Sequence, residues 1–380
     1  MNPTDVIDET VELTGLGKTQ LFDLFAEYGH EQVIFSSEPS CGYRGIVAIH
    51  DTTLGPALGG TRFWNYETDL EALVDVLRLS RGMTYKAAIA GLNLGGGKAV
   101  IIGDNETRYR EMIMRAHGRV VESLGGRYIT AEDVGTNVED MDYVHTETEY
   151  VVGILDRSGD PSPVTAFGVY RGIKACALKR YGDDDLEKKT VAVQGVGHVG
   201  YHLCRYLAEE GAKLFVTDID HTKVGRAVDE LGAVAVGPDE IYEVEADIFA
   251  PCALGAVLNS RTIPSLRANI VAGAANNQLE TEEDAERLRE SGILYAPDYV
   301  INAGGLINVY SELVGWSLER SQRKAGEIYG VILLIFDRQN IEHPFGHWLS
   351  LSSIILRIIR SAALARREMR RLIPAYPEFP

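Results

Sequence analysis

Apolar and polar positions follow two periods along the chain, and the switch between them outlines the fold. Residues 19–28 carry Leu21, Phe22, Leu24 and Phe25 at helical spacing. Residues 44–50 alternate and are rich in Ile and Val, which predicts a strand. Residues 68–82 predict a helix with Leu70, Leu73, Val74 and Leu77 inward. A buried strand over 99–102, a helix over 111–124 and a strand over 128–130 follow, the last leading into a loop at 131–136. Residues 156–163 contain Gly, Ser, Asp and two prolines and read as a linker before a helix over 165–181. Beyond it, short apolar runs at 190–193, 213–217, 247–250, 270–272 and 294–296 are each separated by room for a helix. Such alternation predicts a parallel, doubly wound sheet. The expected class is α/β in two domains, an N-terminal α/β domain over 1–155 and a Rossmann-like domain over 156–334, with the active site in the cleft between them. C-terminal helices over 335–380 are expected to join the first domain.

Composition narrows the functional classes. A net charge of -18 disfavours nucleic acid as a partner. The one cationic cluster, 357–371, reads as a solvated helix face or a subunit contact. Four scattered cysteines, Cys41, Cys176, Cys204 and Cys252, form no CxxC pair or Cys/His cluster, so no metal site is expected and free thiols are. His343 and His347 are separated by Pro344 and make a poor metal pair. The longest apolar stretch, 331–336, is too short for a membrane span. The first 20 residues hold Asp5, Asp8, Glu9 and Glu12 and no apolar run. Together these predict a cytoplasmic protein with no membrane association.

The strand at 190–193 runs into Gly195-Val-Gly197-His198-Val199-Gly200, a G-x-G-x-x-G turn opening a helix. A second strand then ends in Thr217-Asp218. Glycines permit a tight turn and close backbone approach to a pyrophosphate, and the helix N-terminus offers N–H groups to it. Asp218, about 20 residues on, is placed for a ribose hydroxyl and against a 2′-phosphate, so NAD is expected rather than NADP. A turn made only for packing is the alternative reading.

Two lysines sit in apolar, glycine-rich surroundings: Gly82-Met83-Thr-Tyr-Lys86 and Gly95-Gly-Gly-Lys98. Each alone would read as a surface residue. Together they predict two amines near one another in a partly desolvated cleft, one lowered enough to act as a base and one holding an anion. Asp133, at a strand end, is a candidate proton-transfer partner or a simple helix cap or turn former. Asn302, after the last strand, lies where doubly wound sheets bind ligands.

These motifs resemble the glutamate/leucine/phenylalanine/valine dehydrogenase family, nearest to its leucine-type members. The resemblance rests on His50-Asp-Thr-Thr-Leu-Gly-Pro-Ala-Leu-Gly59-Gly60-Thr-Arg, the two lysine motifs, Ala131-Glu-Asp133-Val-Gly-Thr136, the glycine turn, Pro251-Cys-Ala-Leu-Gly255 and Tyr299-Val-Ile-Asn302-Ala-Gly-Gly, and spans about residues 19–330. It implies Lys98 as the catalytic lysine and Asp133 as its proton-transfer partner. Lys86 is implied to bind the substrate α-carboxylate, with Gly59, Gly60 and Met83 lining the same pocket. Thr165 and Asn302 are implied to position the nicotinamide. The implied reaction is oxidative deamination of an L-amino acid to a 2-oxo acid and ammonia, in a homo-oligomeric oxidoreductase.

Leu58 stands where the resemblance implies a lysine in glutamate enzymes, and Val309 where it implies a serine. A glutamate carboxylate would be buried there without a partner. Ala131 matches the leucine-type pattern, Leu306 is shared with some phenylalanine-type members, and Tyr43 either narrows the pocket or points away. Branched-chain substrates are expected first and aromatic ones second. A non-catalytic paralogue binding NAD or an amino acid would lack Lys98, Lys86 or Asp133, and all three are present. Beyond about residue 330 the resemblance fades.

Overall fold

The computed structural model describes residues 21–154, 160–253, 255–281 and 283–342. The elements, in order, are α1 (Leu21–Tyr28), β1 (Gln32–Glu38), β2 (Tyr43–Asp51), β3 (Ala57–Trp64), α2 (Asp69–Ile89), β4 (Gly95–Ile102), α3 (Arg110–Ser123), β5 (Tyr128–Glu132) and α4 (Val138–His145). There follow α5 (Ser162–Tyr181), β6 (Thr190–Gln194), α6 (His198–Glu209), β7 (Lys213–Thr217), α7 (His221–Leu231), β8 (Val234–Ala235), β9 (Ala246–Pro251), β10 (Ala268–Val271), α8 (Glu283–Glu290), β11 (Leu294–Tyr295), α9 (Asp298–Ile301), α10 (Gly304–Val314), α11 (Leu318–Gly326) and α12 (Ile328–Glu342).

β1 to β5 form a mixed sheet in the order β1-β2-β4-β3-β5. β1 and β4 run antiparallel to β2, while β3 runs parallel to β4 and β5. Strand parity sends alternate residues to opposite faces. Ile46, Ala48 and Val100 pack under Leu73, Val76 and Leu77 of α2, whereas Tyr43, Phe63 and Ile101 pack under Ile113 and Met114 of α3.

β6 to β11 form a wholly parallel sheet in the order β11-β10-β9-β6-β7-β8. The strand order reverses between β6 and β9, so the crevice beyond their carboxyl ends is the topological switch point. The short apolar runs read from the sequence all become strands of this sheet.

Three of the predicted elements differ in extent from expectation, and β1, β3, α4 and β8 have no predicted counterpart. The helix predicted to stop at residue 82 continues to Ile89, because Gly82 sits on an exposed turn with open space around it and the apolar stripe resumes at Ala87, Ala88 and Ile89. The whole run Gly95–Ile102 is strand, glycines included. Ser162 and Pro163 of the predicted linker open α5, where proline at a helix's first turn loses no hydrogen bond. The apolar stretch 331–336 lies in α12, whose Ile332, Ile335 and Phe336 are buried in the core shared with α5. The cluster 357–371 and the His343/His347 pair lie outside the described residues.

Candidate active site

Both lysines are delivered to one cleft by rigid elements. Lys98 pairs with Ala48 across the β2/β4 ladder and so faces α2. Its helix approaches very closely: a Cβ on Gly96 would lie 2.1 Å from the backbone nitrogen of Thr84, and one on Gly59 would lie 1.8 Å from the carbonyl oxygen of Gly97. The glycines thus let backbone lie against backbone beneath the amines. Lys98 is 5% exposed. Its Nζ lies 3.0 Å from Asp133 Oδ2. Burial pushes the Lys98 amine below the ordinary lysine range, with Asp133 opposing. Burial alone would raise the Asp133 carboxyl, but Lys98 and Arg62 outweigh it and hold it below the usual range. Asp133 also opens a turn, its carbonyl oxygen accepting from the Thr136 N–H at 3.0 Å, while its carboxylate is turned to Lys98 and Arg62. Asn137 caps α4, in a capping box with Asp140.

Lys86 lies in the last turn of α2 and is half-buried. Its amine is also lowered, first by burial, then by the charge of Lys98, with Asp298 opposing the shift. Its Nζ donates to Asn276 Oδ1 at 3.5 Å. The same oxygen accepts from Asn302 Nδ2 at 2.8 Å, so Asn276 joins the two sides of the cleft.

Leu58, Met83, Ala131, Leu306 and Val309 all belong to the large apolar core that runs from α2 into the parallel-sheet domain, and Gly60 packs against Asp133. Tyr43 does not join them, and its place among the pocket residues is corrected here. It lies on the sheet face opposite Lys98, 1% exposed, with its hydroxyl 3.1 Å from His117 Nδ1.

At the carboxyl end of β6, Gly195 adopts φ +98°, and a Cβ there would lie 2.7 Å from that of Ala253. A Cβ on Gly200 would lie 2.0 Å from the Gly195 carbonyl oxygen, so α6 abuts the strand. One on Gly197 would meet nothing within 4 Å. His198 is exposed and Val199 half-buried in the first turn of α6. Asp218 closes the turn, its Oδ2 accepting from the Val196 N–H at 2.8 Å. Thr165 packs against Gly304 and Gly305, next to Asn302. Asn302 Nδ2 also faces the carbonyl oxygens of Ala274 and Ala275 at 3.2 and 3.4 Å, which fixes the amide's orientation. Its Oδ1 is buried with no hydrogen-bond partner among the described residues. Open space at Gly197 and an orphaned acceptor at Asn302 are what a dinucleotide with a carboxamide donor requires.

Sequence reasoning missed three groups. Arg62 Nε lies 3.1 Å from Asp133 Oδ2, and Arg62 Nη1 lies 2.7 Å from Asp75 Oδ2. Asn276 was also unmarked. Arg62 follows Gly60 by two residues on the same strand face, and that parity was its one available signal. Among the described residues no cluster of three metal-ligating side chains occurs, and no helix is long and apolar enough to cross a membrane.

Comparison with known proteins agrees with this geometry. Residues 30–150 match the family described as Glu/Leu/Phe/Val dehydrogenase, dimerisation domain, and residues 218–326 match Glutamate/Leucine/Phenylalanine/Valine dehydrogenase. The chain is 58% identical over 320 residues to leucine dehydrogenase of Geobacillus stearothermophilus, covering 83% of this chain and 87% of that one. It is 52% identical over 318 residues to L-tryptophan dehydrogenase of Nostoc punctiforme, covering 83% and 90%. The crystal structure of L-tryptophan dehydrogenase from Nostoc punctiforme superposes with a TM-score of 0.82 at 47% identity, covering 90% of this chain and 99% of that one. With two lysines and a carboxylate converging opposite a dinucleotide cradle, and with this likeness over most of its length, the chain belongs to the Glu/Leu/Phe/Val dehydrogenase family and is an amino-acid dehydrogenase.

Proposed function

We propose that the protein catalyses NAD-dependent oxidative deamination of leucine and, more broadly, of branched-chain L-amino acids. The observation that carries this is the buried Lys98–Asp133 pair, with Leu58, Met83, Ala131, Leu306 and Val309 all belonging to the apolar core. Lys86 holds the substrate α-carboxylate, releasing Asn276 as it does so. Leu58, Met83, Ala131, Leu306 and Val309 surround the side chain. Leu58 is 2% exposed and offers no cation, so a glutamate side chain would be stripped of water at a cost of several kcal/mol, roughly. Among apolar side chains a methylene changes selectivity by only about 1–3 kcal/mol, so valine and isoleucine should share the pocket.

When bound, the nicotinamide supplies the acceptor for the hydride leaving Cα. Thr165 and Asn302 would hold that end of the cofactor, Asn302 Oδ1 being the buried acceptor open to its carboxamide. Gly197 and the first turn of α6, with His198 and Val199, take the pyrophosphate. Asp218 meets the adenosine ribose and disfavours a 2′-phosphate. Neutral Lys98 removes a proton from water as it attacks the imino carbon. Asp133 takes that proton from Lys98 and carries it to the amine, which leaves as ammonia while Lys98 accepts the hydroxyl proton as the carbonyl forms. We also propose the domain division near residue 155, a homo-oligomer built on the region matched as a dimerisation domain, and a cytoplasmic location, which the four free cysteines support.

Initial rates on leucine, valine, phenylalanine and glutamate, each with NAD and NADP, test the reading. Leucine with NAD should lead. Glutamate as best substrate would sink the pocket argument, and phenylalanine as best would transfer the assignment to the aromatic members of the family.

A further inference from the structure

We propose that Arg62 is a positioning residue that, anchored by Asp75, pins one oxygen of Asp133 and leaves the other for proton transfer. The inference rests on the reading of Lys98 and Asp133 as the proton-transfer pair.

The geometry begins with β3. Leu58, Gly60 and Arg62 share its cleft-facing side. A side chain at position 60 would collide with Asp133, its Cβ falling 2.9 Å from that of Asp133. The bare glycine therefore lets the Asp133 carboxylate settle over the strand within reach of Arg62. Lys98 Nζ and Arg62 Nε both meet the same atom, Asp133 Oδ2, at 3.0 and 3.1 Å. No described residue donates to Oδ1. With Arg62 and Lys98 both donating to Oδ2, Oδ1 is the oxygen left to exchange a proton with the substrate.

Behind Arg62, Asp75 Oδ2 accepts from Nη1 at 2.7 Å and from the Tyr66 hydroxyl at 2.8 Å. Arg62 and Asp75 are 19% and 13% exposed at their side chains. A planar guanidinium bridges two carboxylates held in fixed places, and a lysine ammonium has no such fork. The titratable and charged groups around Asp133 are Lys98 from β4, Arg62 from β3, Lys86 and Asp75 from α2, Tyr66 before α2, and Tyr128 and Glu132 from β5. Arg62 lowers both members of the Lys98–Asp133 pair.

The test is the pH dependence of kcat/KM for leucine oxidation, with Asp133→Asn as control. Wild type must turn over and the control must be strongly impaired; if the two are equally slow, the underlying proton-transfer reading fails and this proposal falls with it. Given that control, Arg62→Gln should move the ascending limb, which belongs to the coupled pair, to higher pH by about one unit or more. Arg62→Lys should restore most of the limb's position while kcat stays low, because charge returns without the bridge. An Arg62→Gln limb that coincides with wild type overturns the proposal. Should Arg62→Gln fail to fold, Asp75→Asn carries the test. It leaves the guanidinium uncompensated, so the limb should move the opposite way, to lower pH, and an unmoved limb overturns the proposal.

Discussion

Lys98 gains its chemistry from what surrounds it. A buried amine whose charge is disfavoured loses its proton at a lower pH than a surface lysine, so leucine oxidation should climb with pH and level off below the ordinary lysine range. Lys98→Ala should lower kcat by about 10²–10⁴-fold, measured by NADH formation at saturating leucine. A loss of less than tenfold would remove Lys98 from the catalytic step. Lys98, Lys86 and Asp133 were legible because charged residues rarely sit inside glycine-rich, apolar runs. Arg62 was not, since an arginine ending a strand motif is ordinarily a surface residue and only its three-dimensional partners distinguish it. Tyr43 was misplaced for a different reason. Whether a strand residue faces the cleft depends on register, and Ala48 opposite Lys98 puts the odd-numbered residues of β2 on the rear face.

Glycine-dependent elements allow packing and binding to be separated. Gly197→Ala adds a methyl into open space at φ -65°, which alanine adopts freely, so the fold should be unaffected. Under the proposed mode of dinucleotide binding, the same methyl would stand in the approach of the pyrophosphate. We expect an unchanged melting temperature and NADH binding weakened at least about tenfold by fluorescence titration, or about 1.4 kcal/mol. Gly200→Ala should do the reverse in order of damage, lowering the melting temperature first, because its methyl meets the Gly195 carbonyl. Equal melting temperatures for the two variants would contradict the close approach of α6. The parallel sheet was readable because its strands are short apolar runs at regular spacing. β3 was not, because the glycines at its centre, Gly59 and Gly60, have weak strand preference and are held by partners on both sides. The last turns of α2 were lost for a similar reason: Gly82 reads as a stop when context is ignored, yet packing carries the helix past it.

Across the whole molecule, polar groups buried behind the cleft couple stability to acidity. His117 is fully buried, with Nε2 2.7 Å from Thr61 Oγ1, which in turn lies 2.7 Å from Thr130 Oγ1. Burial lowers its pKa to about 4. His30 is lowered to about 3, by burial first and then by His50 and Arg81. An unfolded histidine takes up a proton near pH 6.5, so between that value and the folded pKa the unfolded chain binds more protons and stability falls as pH falls. His117 alone accounts for up to about 3 kcal/mol over this window. Thermal melts from pH 7 to 4.5 should show the decline, and His117→Gln should flatten it; a slope unchanged in the variant would clear His117 of the effect. Light scattering reads the assembly on which the matched dimerisation region bears.

One sheet serves two masters in this molecule. Lys98 and Arg62 occupy its front, while the hydroxyls of Thr61 and Thr130 and the His117 imidazole lie at its back, a single backbone's thickness away. Variation confined to the rear should therefore tune heat and acid tolerance, and variation at Leu58, Ala131, Leu306 and Val309 should redirect substrate choice. Engineers and natural selection can turn those two dials independently.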